Sequence, residues 1–74
     1  EDKVNSIVDF VKIYHNTSDG VFTISSSANI EVYNIVGDLI LSDNNATSID
    51  LTVAPKGMYF VRLNGGKIEK LIKN

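Results

Sequence analysis

The stretch PKGMYFVRLNGGK, residues 55–67, contains the pattern that decides the fold of this sequence. Its side chains alternate between two faces of an extended chain, and the two sets are Tyr59, Val61, Leu63 and Met58, Phe60, Arg62. Because both sets include large apolar groups, the stretch predicts a strand in the middle of a sheet. Pro55 is expected to end the preceding strand, since proline cannot donate to a ladder, and Gly57 frees the backbone to reverse.

A β-hairpin is predicted at the end of this stretch. Gly65 and Gly66 form a two-residue turn signal, and KIEKLIKN, residues 67–74, follows as the return strand. The three lysines of that strand recur at every third position, so they alternate between its faces and do not form one basic patch.

Short β-branched and aromatic runs, separated by polar and glycine clusters, fill the rest of the chain. The predicted strands here are residues 6–14, 20–25, 30–33, 39–42 and 48–53. Residues 6–14 also fit helical spacing. The predicted turns are residues 15–20, 34–38 and 42–48. About seven short strands at roughly ten-residue spacing predict an all-β sandwich of two antiparallel sheets.

Length and composition limit the class of protein. The 74 residues are expected to form a single domain, and a formal net charge of -2 with scattered basic residues argues against a nucleic-acid partner. The chain has no cysteine, which excludes disulfides, thiolate metal sites and a cysteine nucleophile. No apolar run approaches the roughly 18 residues of a membrane helix, and the start, EDKVNS, does not resemble a signal peptide. We therefore expect a piece of a longer protein.

Residues that could perform chemistry are few. His15 is the only histidine, and one imidazole without a second nitrogen or thiolate donor is a poor metal site. Residues 43–45 lack the spaced carboxylates of a calcium loop. Residues 25–27 with Asp50 and His15 contain the residue types of a serine triad but no nucleophile elbow. Neither catalysis, nor a metal, nor a cofactor is predicted.

The order of these features resembles the C-terminal sorting domain of proteins exported by the type IX secretion system of Gram-negative bacteria. The resemblance extends from about residue 11 to residue 74. Its most specific part is a Pro-x-Gly-x-Tyr-x-Val motif, present here as Pro55, Gly57, Tyr59 and Val61. A Gly-Gly-Lys turn and a lysine-rich, apolar last strand follow this motif, as they do in the family.

One part of the sequence departs from that family. The family's early motif is a strand followed by Pro-Asn-Pro and, a few residues later, Gly. Here His15 and Thr17 stand where the prolines would be, while Asn16 and Gly20 are kept. Loss of a proline from a turn costs about 0.4 to 1 kcal/mol because the unfolded chain becomes freer.

The resemblance implies a non-catalytic, immunoglobulin-like β-sandwich that acts as an address. It implies that the parent protein is recognised in the periplasm through this domain and crosses the outer membrane by a translocon. A surface sortase then usually removes the domain and joins the cargo to anionic lipopolysaccharide. Retention of the domain, as in members that belong to the machinery itself, is a second outcome. The implied partners are the translocon and the sortase, without a small-molecule substrate, and self-association is not indicated.

A folded sandwich with an exposed last strand can dock to a receptor by strand addition. The residues predicted to make this contact are Lys67, Lys70, Leu71, Ile72 and Lys73. The four residues of the Pro-x-Gly-x-Tyr-x-Val motif are predicted to shape the turn and the core that hold this strand.

A second class of function is an accessory β-sandwich that binds glycan or spaces a catalytic domain on the bacterial surface. Sugars stack on exposed aromatic rings, and the candidate rings are Tyr14, Phe22, Tyr33, Tyr59 and Phe60. A flat row of two or three exposed rings would favour this class, whereas buried rings would count against it.

Overall fold

The computed structural model describes residues 11–14 and 17–74, and every regular element there is a β-strand. The strands are β1 (Ile13–Tyr14), β2 (Thr17–Ser18), β3 (Val21–Tyr33), β4 (Leu39–Asp50), β5 (Gly57–Leu63) and β6 (Lys67–Lys73). The prediction of an all-β chain is confirmed. Residues 6–10 of the predicted first strand, together with His15 and Asn16, lie outside the described residues. In the part of the chain that the structure describes, no helix has the length and apolarity needed to cross a membrane.

All six strands belong to one curled, mixed sheet. Its order is β1-β3-β5-β6-β2, and β4 pairs with the other edge of β3. The long β3 is shared, because its first half pairs with β1 and its second half with β5, while β4 follows it along nearly its whole length. The pairing of β2 with β6 is parallel and the others are antiparallel. Six strands in one curled sheet do not confirm the seven-stranded immunoglobulin-like sandwich.

The core lies on the inner face of the curled sheet. Alternate residues of β5 are buried there, as the pattern from Tyr59 to Leu63 predicts, and β5 lies between β3 and β6 as a central strand. The buried apolar residues are Val11, Phe22, Ile24, Ala28, Ile30, Val32, Ala46, Ile49, Leu51, Tyr59, Val61, Leu63 and Leu71. Each fully buried valine, leucine, isoleucine or phenylalanine contributes about 1.5–3 kcal/mol relative to an exposed one. All of the strands from β3 to β6 supply residues to this core.

The predicted hairpin turn at residues 34–38 is confirmed. Asn34 organises this turn, because its Oδ1 accepts hydrogen bonds from the backbone N of Val36 (3.1 Å) and of Asp38 (2.9 Å). Gly37 has φ 93°, a conformation that residues with a Cβ rarely adopt. The return strand β4 therefore begins at Leu39, directly after the turn.

The predicted turn at residues 42–48 is wrong, because these residues lie inside β4. The ladder between β3 and β4 continues past the polar run through register shifts, and Asn45 there has φ 55°. Asparagine tolerates positive φ better than most residues. The backbone N of Asn45 donates to Oδ1 of Asn29 (3.1 Å), so a side chain accepts a hydrogen bond where the ladder is irregular. Polar residues that usually favour turns here form a bulge in a long strand.

The predicted strand at residues 48–53 ends early, at Asp50. The carboxylate of Asp50 accepts hydrogen bonds from the backbone N (2.9 Å) and from Oγ1 (2.7 Å) of Thr52, which compete with continued pairing. The N of Ala54 then donates to the carbonyl of Leu51 (3.0 Å) and closes a turn. Leu51 is buried, as the alternation predicts, but Val53 is 97% exposed. Pro55 therefore follows a turn and does not end the strand.

The predicted turn at residues 15–20 is partly a strand. Thr17 and Ser18 form β2 and pair with Ile72 and Lys73 of β6. The chain bends at the two residues that follow β2, and Oγ of Ser18 accepts a hydrogen bond from the backbone N of Gly20 (3.1 Å).

The β5–β6 turn contains three residues, 64–66, so the predicted two-residue turn is also wrong. Positive φ occurs at Asn64 (52°) and Gly65 (74°), which are the central residues of a turn closed by a hydrogen bond from Gly66 N to Leu63 O (3.0 Å). Asn64 is held there because its N donates to the carbonyl of Asn29 (2.7 Å) and its Oδ1 accepts from the N of Asn29 (2.9 Å). The contact with Asn29 is distant in sequence, so local patterns did not reveal it.

Candidate functional site

The residues of the Pro-x-Gly-x-Tyr-x-Val motif lie at the entry to β5. Gly57 begins the strand with φ 145°, where a side chain would strain the backbone. Tyr59 and Val61 point into the core, and the hydroxyl of Tyr59 donates a hydrogen bond to the carbonyl of Pro55. This bond joins the start of the motif to its middle, so the buried tyrosine also fixes the backbone that leads into the strand.

β6 pairs with β5 along its whole length without a register shift, from Gly57 opposite Lys73 to Leu63 opposite Lys67. Successive side chains point to opposite faces of this strand. Leu71 and Lys73 point to the core and are buried, whereas Lys70 and Ile72 point outward.

Lys67 lies on the same face as Leu71, near the β5–β6 turn, where it is half-buried. Its Nζ is 3.1 Å from Oε2 of Glu69. A partly exposed ion pair of this kind contributes little stability, at most about 1 kcal/mol. The five predicted contact residues therefore divide between two faces of β6.

Lys73 joins the end of β6 to the turn after β4. It is only 8% exposed, and its Nζ donates hydrogen bonds to the backbone carbonyls of Thr52 (2.9 Å) and Ala54. Burial of an amino group is unfavourable unless hydrogen bonds satisfy it, and these two carbonyls do so. The sequence contains a signal for this position, because Lys73 shares the strand parity of the buried Leu71.

Asp50 stabilises the same turn from its other side. The hydrogen bonds from the backbone N and the hydroxyl of Thr52 hold the pKa of the Asp50 carboxyl below its usual value of 3.8, and the positive charge of Lys73 acts in the same direction. Thr52 is thus held by Asp50 through its N and hydroxyl, and by Lys73 through its carbonyl.

Gly20 of the early motif contacts this turn directly. A Cβ at position 20 would lie 2.7 Å from Cγ2 and 3.0 Å from Cα of Thr52, which is closer than real contacts allow. The N of Leu51 also donates a hydrogen bond to the carbonyl of Gly20 (2.6 Å). Glycine is therefore required here by the close approach of two segments. Asn16, the other early-motif residue, lies outside the described residues.

One edge of β6 is left unpaired by the described strands over much of its length. β2 pairs only with Ile72 and Lys73, so residues 67–71 have no neighbouring strand on that side within residues 11–14 and 17–74. A strand edge of this kind presents backbone N–H and C=O groups to any extended chain that approaches it.

The outer face beside this edge is apolar in part. Cross-strand neighbours on it are Met58 with Ile72, Phe60 with Lys70, and Arg62 with Ile68. Tyr33 of β3 lies opposite Phe60, and its hydroxyl donates to Oε1 of Glu31 (3.1 Å), which raises the pKa of Tyr33.

The described aromatic residues do not form an exposed row. Phe22 and Tyr59 are buried, Tyr33 and Phe60 are half-buried, and Tyr14 on β1 is exposed. A flat platform of rings on which a sugar could stack is therefore absent from the described strands.

Polar clusters in the described part of the chain do not form a metal site. No three His, Cys, Asp or Glu residues there are close enough to hold an ion. An open cleft of about 390 Å³ lies over the irregular part of β3 and is lined by Asn29, Ile30, Glu31, Ser42, Asn44, Asn64 and Gly65. Within this cleft the side chain of Asn29 and that of Asn64 bond to backbone groups, so their hydrogen bonds hold the fold together.

Comparisons with known proteins identify the family. The model of the secretion system C-terminal sorting domain matches residues 12–74, a range that contains β1 to β6 together with the Pro-x-Gly-x-Tyr-x-Val motif. No curated protein matches the chain. The resemblance found in the sequence is thereby confirmed, and the chain belongs to the family of type IX secretion C-terminal sorting domains.

Proposed function

We propose that this sorting domain acts as a docking module that is recognised in the periplasm by the outer-membrane translocon. Sorting domains of this family mark proteins for export across the outer membrane. In our proposal a surface sortase then removes the domain and attaches the cargo to anionic lipopolysaccharide. The domain itself performs no catalysis in this scheme, and retention on the surface is the alternative end point.

The observation that supports docking most strongly is the regular β5–β6 hairpin, whose edge at residues 67–71 pairs with no other strand that the structure describes. Strand addition to such an edge supplies affinity through backbone hydrogen bonds, and pockets for alternate side chains supply specificity. The β5–β6 ladder contains no bulge that would twist this edge away from a partner.

The side chains of β6 have two roles in this proposal. Lys70 and Ile72 point outward and are available for contact with the translocon, and Lys67 lies at the open end of the strand. Leu71 and Lys73 point inward, so we assign them the task of holding the strand in place. Gly57, Tyr59 and Val61 support β6 from the neighbouring strand β5. Pro55 does so from the segment before β5, and Gly65 and Gly66 do so through the β5–β6 turn.

A fusion experiment tests this function. Residues 1–74 are placed behind a signal peptide and a fluorescent reporter in a bacterium with type IX secretion, and surface fluorescence and reporter mass are measured. We expect surface reporter from which the domain has been removed. Full-length reporter trapped in the periplasm would contradict the proposal and would favour an accessory or spacer module.

Two variants locate the contact. Deletion of residues 67–74 should abolish export, but it also removes the buried Leu71, so loss of the fold would give the same result. Lys70→Ala leaves the core intact and should reduce export severalfold. The matched control is Lys12→Ala, which removes an exposed lysine far from β6 in sequence. Equal export by the two single variants would contradict a contact at β6.

A further inference from the structure

The turn between β4 and β5 has an exposed apolar tip. We propose that residues 51–56, which we name the Val53 turn, form a second contact of the sorting domain, one that inserts into an apolar pocket with acidic groups at its rim on a protein of the secretion machinery. This inference rests on the proposed docking function and adds a contact at the opposite end of β6 from the β5–β6 turn.

The first reason is the exposure of Val53, which at 97% is the most exposed of the large apolar residues that the structure describes. A single exposed valine is ordinary on a protein surface. Pro55 and Lys56 beside it are also exposed, so Val53 lies in a short exposed segment that carries one positive charge.

The second reason is the rigidity of the backbone on both sides of Val53. Nζ of Lys73 bonds to the carbonyls of Thr52 and Ala54, the two residues that flank it. The hydroxyl of Tyr59 holds the carbonyl of Pro55. These side chains come from β5 and β6, so the core of the domain fixes the shape of the turn.

Lys73 does more than hold β6 in place, because its amino group also binds both residues that flank Val53. Thr52 is exposed, and water could satisfy its carbonyl without a buried amino group. Removal of that amino group from water is itself unfavourable. A fixed loop, however, loses less conformational entropy when it binds, and preorganisation of this kind increases affinity. The fixed backbone of this turn is therefore better explained by a binding contact than by packing alone.

The chemistry of the turn identifies the kind of partner. A partner that is complementary to this turn has an apolar pocket for Val53 and a carboxylate close to the rim of that pocket for the exposed Lys56. The ion pair found among the described residues joins Lys67 to Glu69, so the charge of Lys56 is available to a partner. One valine and one lysine are too little for stable attachment to a membrane surface, which takes a larger apolar face or two lipid anchors.

The test compares two valines in the reporter fusion of residues 1–74. Val53→Thr keeps the shape of the side chain and removes its apolar character. Val36→Thr makes the same change at a residue that is 74% exposed in the turn between β3 and β4. We expect Val53→Thr to lower export by roughly tenfold or more, because a buried hydroxyl is poorly accepted by an apolar pocket. Val36→Thr should leave export unchanged.

The outcomes separate this inference from the proposed function. If the unmodified fusion is not exported, docking itself is wrong. If it is exported and the two valine variants are exported equally, the inference about the Val53 turn is overturned while docking stands. Thermal unfolding of both variants, with unchanged midpoints, excludes loss of the fold as the cause of reduced export.

A cross-linking experiment identifies the partner. Val53 is replaced by a photoreactive phenylalanine derivative in the exported fusion, and the adduct formed in cells is identified by mass spectrometry. An adduct with an outer-membrane protein of the secretion machinery supports the inference. An adduct with lipid, an adduct with a second copy of this chain, or no adduct at all would overturn it.

Discussion

The β5–β6 hairpin and the β3–β4 pair are both long antiparallel ribbons, yet they are built differently. β5 and β6 keep one register from end to end. The register of β3 with β4 shifts at several places, and Asn45 there has positive φ. Buried and less buried residues alternate regularly in β5 from Tyr59 to Leu63, whereas the β3–β4 pair contains the polar runs SSS and DNN.

The difference shows what each ribbon contributes to the fold. A regular ribbon presents one straight edge and one continuous buried face. Bulges bend a ribbon and increase its twist, which lets the two halves of β3 and β4 face the same core although the ribbon is long. The first half buries Phe22 against Ile49, and the second half buries Val32 against Val61. Irregularity therefore allows the sheet to curl, and regularity provides the edge that we propose for docking.

The largest expected effect is in the regular hairpin. Leu71→Ala removes a fully buried side chain from the last strand, and we expect a loss of about 2–5 kcal/mol in the free energy of unfolding. Urea denaturation measures it. Ile68→Ala on the opposite face of β6 is the control, because Ile68 is 57% exposed and should cost little. Similar losses for both variants would show that the two faces of β6 are equally buried.

A smaller effect is expected where the hairpin begins. Gly57→Val should destabilise the fold by about 1–3 kcal/mol because a β-branched residue resists the observed φ of 145°. No atom lies within 4 Å of a Cβ at this position, so the cost comes from backbone strain alone. Gly66→Ala is the control, since its Cβ would lie 4.0 Å from the nearest carbonyl oxygen. An unchanged melting temperature for Gly57→Val would show that the backbone there is not strained.

The irregular ribbon should respond to the same kind of change at Asn45. Asn45→Val places a β-branched residue at φ 55°, which costs about 1–2 kcal/mol. Asn45→Gly is the matched variant, because glycine adopts this conformation freely and should retain the stability of the native chain. If Asn45→Val is as stable as Asn45→Gly in urea denaturation, the bulge is not required for the fold.

The smallest expected effect is on pH dependence at the junction of the two ribbons. The pKa of Asp50 is lowered in the folded chain, so its stabilising contribution is present above the usual value of 3.8 and is lost as the pH falls through the lower folded pKa. Unfolding midpoints measured between about pH 5 and pH 2 should fall less steeply for Asp50→Asn than for the native chain.

Thr52→Val is the companion variant for this titration. It keeps the shape of the side chain and the backbone donor but removes the hydroxyl donor to Asp50. Its profile should lie between those of the native chain and Asp50→Asn. A profile identical to that of the native chain would show that the hydroxyl of Thr52 has no part in lowering the pKa of Asp50.

The sequence predicted the regular parts of the fold well, because alternation acts within a strand. The central position of β5, the return strand β6 and the turn at Asn34 all follow from local residues. The polar run at residues 42–48 led to a wrong turn prediction, because asparagine and aspartate favour turns when their side chains bond to nearby backbone. At Asn45 the side chain of Asn29 instead supplies a bond across the sheet. A contact between residues so far apart in sequence has no local signal.

The candidate site shows the same limit. The sequence predicted Tyr59 as a motif residue that shapes the turn and core, and Lys73 as a contact residue of the last strand. It could not show that both donate hydrogen bonds to one turn, at Pro55 and at Thr52 and Ala54, because that requires β5 and β6 to be placed beside the end of β4. The exposure of Val53 was also missed, because the alternation from Ile49 to Val53 assumes a strand that in fact ends at Asp50.

The position of β6 between β5 and β2 has a consequence for the timing of export. Among the described strands β6 is the last to be synthesised, yet it supplies Leu71 to the core and Lys73 to the turn that it stabilises. The sorting domain cannot fold completely until translation has passed Lys73, by which time every residue before it has been made. Under the proposed function, we expect a chain released before β6 is complete to lack a folded sorting domain and not to be exported.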